Sequence, residues 1–173
     1  RVENDIQQFF IQDTAANRTV LTFENVAFQD MYTAQLVIPV PAKKFVSYFV
    51  TGMNYIKFQD DRFTNSELKV RPQFYVYNYN QFNVGKLFKL QIIGQWVSAS
   101  SNGISTMRPF GNLDISISKT FLKEALSVEI YGSDIFRNTI YDGTQSAGFT
   151  SSTFHITTDS RFVRVGVKYN FGR

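Results

Sequence analysis

The chain has 173 residues, of which 43% are hydrophobic and 16% aromatic, while only 18% are charged and the formal net charge is +4. A soluble domain carries charge on about a quarter of its residues, so this surface is depleted of charge, yet no apolar run approaches the ~18 residues of a helical membrane span. The chain holds no cysteine, which excludes disulfides, thiolate metal sites and cysteine nucleophiles.

The basic residues are scattered rather than clustered, unlike a nucleic-acid-binding surface. The chain begins Arg1-Val2-Glu3, without a Met or a signal peptide, as a mature secreted protein or an excised segment would.

Helix signals are nearly absent, and eight strands are predicted in chain order. The first runs from Val2 to Gln12, a turn covers Asp13 to Asn17, and the second runs from Arg18 to Val40. Pro41-Ala42-Lys43-Lys44 is a tight turn in which Pro supplies a fixed φ. The third strand runs from Phe45 to Phe58, Asp60 to Ser66 is a polar loop, and the fourth spans Leu68 to Asn83. Val84-Gly85-Lys86 turns the chain into a fifth strand from Leu87 to Ser98, and Ser100-Ser101-Asn102-Gly103 is a polar loop. The sixth strand covers Ser105 to Lys119, a short turn spans Phe121 to Glu124, and the seventh covers Ala125 to Phe136. Arg137 to Thr153, rich in Ser, Thr and Gly, is the longest predicted loop, and the eighth strand ends at Phe171.

Within these strands apolar and polar residues alternate. Val163, Val165, Val167, Tyr169 and Phe171 share one face, and Arg164, Gly166, Lys168 and Asn170 share the other. Leu126, Val128 and Ile130 oppose Ser127, Glu129 and Tyr131; Leu113, Ile115 and Ile117 oppose Asn112, Asp114, Ser116 and Ser118. Short turns follow strands two, four and six, and polar loops follow strands three, five and seven. Antiparallel transmembrane β-barrel strands have this form: apolar toward lipid, polar toward the lumen, short turns on the periplasmic side and longer loops outside. Several strands exceed the roughly 9–11 residues of a crossing and are expected to project beyond the outer leaflet.

The stretch Met107-Arg108-Pro109-Phe110-Gly111-Asn112-Leu113-Asp114-Ile115-Ser116-Ile117-Ser118-Lys119-Thr120-Phe121-Leu122 resembles a late strand and turn of TonB-dependent outer-membrane receptors, within the branch named the outer membrane protein β-barrel family. Leu126 to Phe136 resembles the next strand, with an Asp-Ile-Phe-Asn-like signature in which Arg137 takes the Asn place. Arg164 to Gly172 resembles the closing strand, and Glu24-Asn25-Val26 an earlier Glu-Asn-Ile/Val element. The resemblance covers essentially the whole chain. It implies the carboxy-terminal third or so of a barrel of about 22 strands, without the amino-terminal plug. It further implies a place in the outer membrane of a Gram-negative bacterium and a share in importing a metal chelate, an oligosaccharide or a peptide. The implied partners are outer-membrane lipid, the remainder of the barrel and its plug, an inner-membrane energy-coupling complex and a surface lipoprotein.

The lumen-facing candidates are Lys69, Arg71, Lys89, Asp114, Glu129, Arg164 and Lys168. Their ordinary role is a solvated or cross-strand-paired ladder, such as Glu129 with Arg164 or Lys168; contact with a plug or a substrate path is the functional alternative. The loops Asp60 to Ser66 and Arg137 to Thr153 are candidates for ligand contact. No enzyme is expected. His155, the lone histidine, lacks partners at metal or triad spacing. Asp60-Asp61 is weak as a calcium site, and Gly143 and Gly148 lack phosphate-loop spacing. No cofactor is implied. Trp96 fits an interface anchor. Two other architectures remain open: a complete eight-stranded structural or adhesive outer-membrane barrel, and a soluble lipocalin-like binder of an apolar ligand.

Overall fold

Period-two alternation with turn residues at its breaks folds the described residues into antiparallel strands and the turns between them. A computed structural model describes residues 2–13, 15–41, 45–59, 69–103, 105–147 and 150–171. Among them are thirteen strands: β1 (Val2–Asp13), β2 (Arg18–Pro41), β3 (Phe45–Gln59), β4 (Lys69–Arg71), β5 (Gln73–Val84), β6 (Phe88–Val97), β7 (Ser100–Gly103), β8 (Ser105–Met107), β9 (Phe110–Phe121), β10 (Leu126–Ser133), β11 (Ile140–Ala147), β12 (Thr150–Thr157) and β13 (Phe162–Tyr169). Eight form one sheet in the order β1-β2-β3-β5-β6-β9-β10-β13, and five form a second in the order β12-β11-β8-β7-β4.

The main sheet is a meander whose strands correspond to the eight read from the sequence. The second sheet departs from that reading. Ser100 to Gly103, expected as a loop, is β7 and pairs with β8. Most of Arg137 to Thr153, expected as the longest loop, belongs to the β11–β12 hairpin, where Ile140 pairs with Thr157 and Ala147 with Thr150. Ser and Thr read as loop formers, yet here their hydroxyls meet across strands: Thr106 bonds Thr144, and Ser146 bonds Ser151 at 3.0 Å. At Gly143 an added Cβ would fall 2.3 Å from both the Phe154 ring and the Thr106 carbonyl, so glycine lets that ring cross the strand. Two of the predicted long strands are broken at proline. Pro72 separates β4 from β5, and Pro109 separates β8 from β9; each lacks a backbone N–H for the ladder. The loop expected from Asp60 to Ser66 and residues 42–44 of the predicted Pro41 turn lie outside the described residues.

Register sets β1 apart from the other strands of its sheet. β1 pairs with residues 18–29 of β2, from Val2 with Gln29 to Asp13 with Arg18. β3 pairs with residues 28–41, from Phe28 with Gln59 to Pro41 with Val46. The two ladders overlap only at Phe28 and Gln29. β1 therefore begins where β3 ends, and the β1–β2 hairpin extends along β2 about 34 Å further at ~3.4 Å per residue. There β1 comes into contact with β11 and β12. Eight strands less β1 leaves seven at a common level: residues 30–41 of β2, then β3, β5, β6, β9, β10 and β13.

β9, β10 and β13 expose apolar side chains where a water-soluble sheet would bury them. Ile117 is 46% exposed while its neighbour Ser116 is 5% exposed. Val163, Val165 and Val167 are all more than half exposed, whereas Gly166 between them is half-buried. The apolar face is open and the polar face sheltered, as on the convex and concave sides of a barrel wall. One patch departs from this: Ser47, Asn78 and Asn80 share the apolar face with Phe49, Phe82 and Ile92 by register. They satisfy one another, with Ser47 donating to Asn80 at 2.8 Å and Asn80 to Asn78.

Candidate functional site

The sheltered face divides into a charged half on β9, β10 and β13 and, on β3, β5 and β6, a half of tyrosines and amides with Lys89 at its short-turn end. In the charged half, Ser116 Oγ donates to Glu129 Oε1 at 2.6 Å. Glu129 Oε2 lies 4.0 Å from Arg164 Nη2, and the Arg164 guanidinium sits 5.2 Å from the Tyr131 ring centre. Glu129 faces Gly166 in register, which leaves the diagonal neighbour Arg164 room to reach it. Asp114 gathers four donors on its two oxygens: Tyr131 Oη at 2.7 Å, the Asp134 backbone N–H at 2.8 Å, Asn112 Nδ2 at 3.3 Å and Ser133 Oγ at 3.4 Å.

Asp134 lies just beyond the last rung of β10, where the chain leaves the main sheet. Its backbone is left-handed, with φ 43°, and its side chain is completely buried. The carboxylate accepts from the Asn138 N–H at 2.9 Å, the Thr139 N–H at 3.1 Å and the Ser160 hydroxyl at 2.6 Å. Burial raises its pKa, but the donors of Ser160, Asn138 and Thr139 together outweigh burial and lower it from 3.8 to about 2. Asp134 thus ties the exit of β10 to the entry of β13, and its own N–H ties both to Asp114 on β9. The Asp-Ile-Phe signature quoted from the sequence is a structural clamp.

The other half is dominated by tyrosines and amides. Tyr48 stacks on Tyr79 at 4.9 Å and on Tyr77 at 6.0 Å. Tyr79 Oη donates to Gln81 at 3.0 Å, and Gln91 Nε2 reaches both Tyr79 Oη at 3.2 Å and Gln81 Oε1 at 3.1 Å. Tyr75 crosses the cleared position of Gly52, where a Cβ would meet its ring at 2.5 Å. None of these tyrosines was singled out in the sequence, although their i, i+2 spacing at 75, 77 and 79 is the period-two signal for one face.

Five of the seven sequence candidates, Lys89, Asp114, Glu129, Arg164 and Lys168, fall on this one face by register. Lys89 lines a 410 Å³ cleft at the short-turn end with Lys86, Ser118, Thr120 and Ser127, and Lys168 pairs in register with Ser127 at its rim. Lys69 and Arg71 lie apart, on β4 of the second sheet, because Pro72 ends the strand that was expected to carry them into the main sheet. His155 is on β12, opposite and bonded to Asp142 of β11, which also approaches Arg108 at 3.9 Å. Asp142 was not singled out in the sequence. Among the described residues no group of three or more His, Asp or Glu side chains could hold a metal ion.

An antiparallel sheet with its apolar side open and its polar side hydrogen-bonded and sheltered is the wall of an outer-membrane β-barrel protein. Residues 1–169 match the model of the Outer membrane protein beta-barrel family, and the chain belongs to that family. Its place is the outer membrane of a Gram-negative bacterium. No curated protein and no solved structure matches the chain.

Proposed function

We propose that the chain forms part of the barrel wall of a TonB-dependent receptor that imports a nutrient across the outer membrane. The observation that carries this reading is the register of the main sheet. At the level of the seven strands, residues 30–41 of β2 pair with β3 alone, and β13 pairs with β10 alone, among the described residues. Lipid cannot satisfy such edges, so further strands must complete the wall. A complete eight-stranded barrel would close β13 onto β1, and among the described residues β1 pairs with β2 alone and β13 with β10 alone. An odd count of seven likewise fits a portion of a barrel, since single-chain bacterial barrels have even numbers.

In this reading the sheltered face lines the passage. The Asp114–Glu129–Arg164 cluster and the tyrosine array either meet a plug supplied by the rest of the protein or touch the nutrient. An inner-membrane energy-coupling complex acts through that plug, and a surface lipoprotein joins from outside. The decisive experiment is the intact mass of the native protein extracted from outer membranes. A mass several times that of this chain supports the receptor, and one equal to it overturns the reading.

A further inference from the structure

We infer that the outward rim of this wall carries a binding site for a phosphorylated glycolipid of the outer leaflet. A cleft of 560 Å³ opens where the main sheet gives way to the second sheet. Its lower part is apolar: Trp96 of β6, Leu113 of β9 and Phe136 of the clamp turn line it. Trp96 and Leu113 fall on the lipid face by register, alongside Gly111 and Gly94. Trp96 is 48% and Phe136 67% exposed, the placement of rings that anchor at a membrane interface. Its upper part is polar: Arg108, Asn138 and Asp142 line it.

Along the chain into β9 the cation precedes the apolar pair, since Arg108 comes before Gly111 and Leu113, the register partners of Trp96 and Gly94; an amphiphile with its acyl chains down and an anionic headgroup up would meet the cleft in this order. Asp142 is committed to His155 by a short contact. It stands 3.9 Å from Arg108, whose side chain remains 78% exposed, so the guanidinium is oriented but still open. A guanidinium fits phosphate oxygens in a fork that lysine cannot reproduce. The longer connections, and with them this cleft, lie on the external side, where the outer leaflet supplies a sugar-linked phosphate with attached acyl chains. Gly111 lets β9 lie close against β6 at the cleft: a Cβ there would fall 2.5 Å from the Gln95 carbonyl and 3.2 Å from the Trp96 Cα.

The site depends on the orientation of the wall and not on transport, so the inference stands or falls apart from the receptor reading. The test uses the full-length protein purified in mild detergent. Binding of lipid A, of dephosphorylated lipid A and of inorganic phosphate is followed by native mass spectrometry. Lipid A is expected to bind, with at least tenfold weaker binding for the dephosphorylated form and for Arg108→Gln. Inorganic phosphate at millimolar concentration is expected not to displace it. Phe136→Ser, a change at an exposed position, serves as a second variant with the same expected loss should Arg108→Gln fail to fold. Equal binding by the variants, equal binding of the dephosphorylated lipid, or displacement by phosphate alone would each overturn the assignment.

Discussion

Among the described residues Asp134 is the only charged side chain that is completely buried, and burying an ion is costly unless donors surround it. Its three donors meet that demand, so removing the carboxylate leaves two backbone N–H groups and a hydroxyl without partners. Asp134→Ala is expected to destabilise the folded wall by about 3 kcal/mol in a denaturant titration in micelles. The pH dependence has a definite sign. The folded pKa of about 2 lies below the ordinary 3.8, so this contribution is complete above about pH 4 and is lost as the pH falls toward 2. The drop corresponds to about 2 kcal/mol, and Asp134→Asn should flatten the acid-unfolding curve across that window. The Glu129–Arg164 pair is a different case. It is long at 4.0 Å and partly open, so Arg164→Gln should cost less than ~1 kcal/mol. In the sequence Asp134 was one letter of a resemblance. Its role depends on Ser160 and Asp114, 26 and 20 residues away, and no local pattern announces such partners.

At the scale of the strand, alternation was legible in the main sheet, where register gathers apolar side chains on one face and polar ones on the other. β9, β10 and β13 were readable residue by residue, because every second side chain answers to the same environment. Val165→Arg, central in β13 and 65% exposed, is expected to cost ~2–4 kcal/mol of folding free energy in bilayers. Ser127→Arg on the cleft-lined polar face should cost far less, and equal costs would reverse the assignment of faces. Polarity alone did not reveal that Ser116 is sealed beneath Glu129, since a serine reads the same whether open to water or buried. The second sheet was illegible for a related reason. Outside the bilayer both faces meet water or one another, so Ser and Thr strands look like loops. Gly143 marks the packing that was hidden: Gly143→Ala would push against the Phe154 ring and the Thr106 carbonyl. A loss of about 1–3 kcal/mol is expected, read as faster amide exchange in β11 and β12 with β9 and β10 unaffected.

For the whole molecule, the sequence conveyed a strand count but not a height, because height is a property of pairing register. β1 and the first half of β2 read as strands like the rest, yet their ladder lies beyond the end of β3. This chain has no cysteine, so single cysteines can report each level with a membrane-impermeant maleimide on intact cells. Ala16→Cys, in the exposed turn between β1 and β2, should label from outside. Lys86→Cys, in the short turn between β5 and β6, should label only after the outer membrane is opened. Ile6→Cys decides the register. Its side chain is 64% exposed and pairs at the level of Asn25, about 10 Å above the end of β3 at ~3.4 Å per residue. Labelling at Ile6 in intact cells, together with protection at Val165→Cys, would place β1 in water and the seven-strand level in lipid. Protection at Ile6 would put β1 in the bilayer, making it an eighth spanning strand and reopening closure of a small barrel.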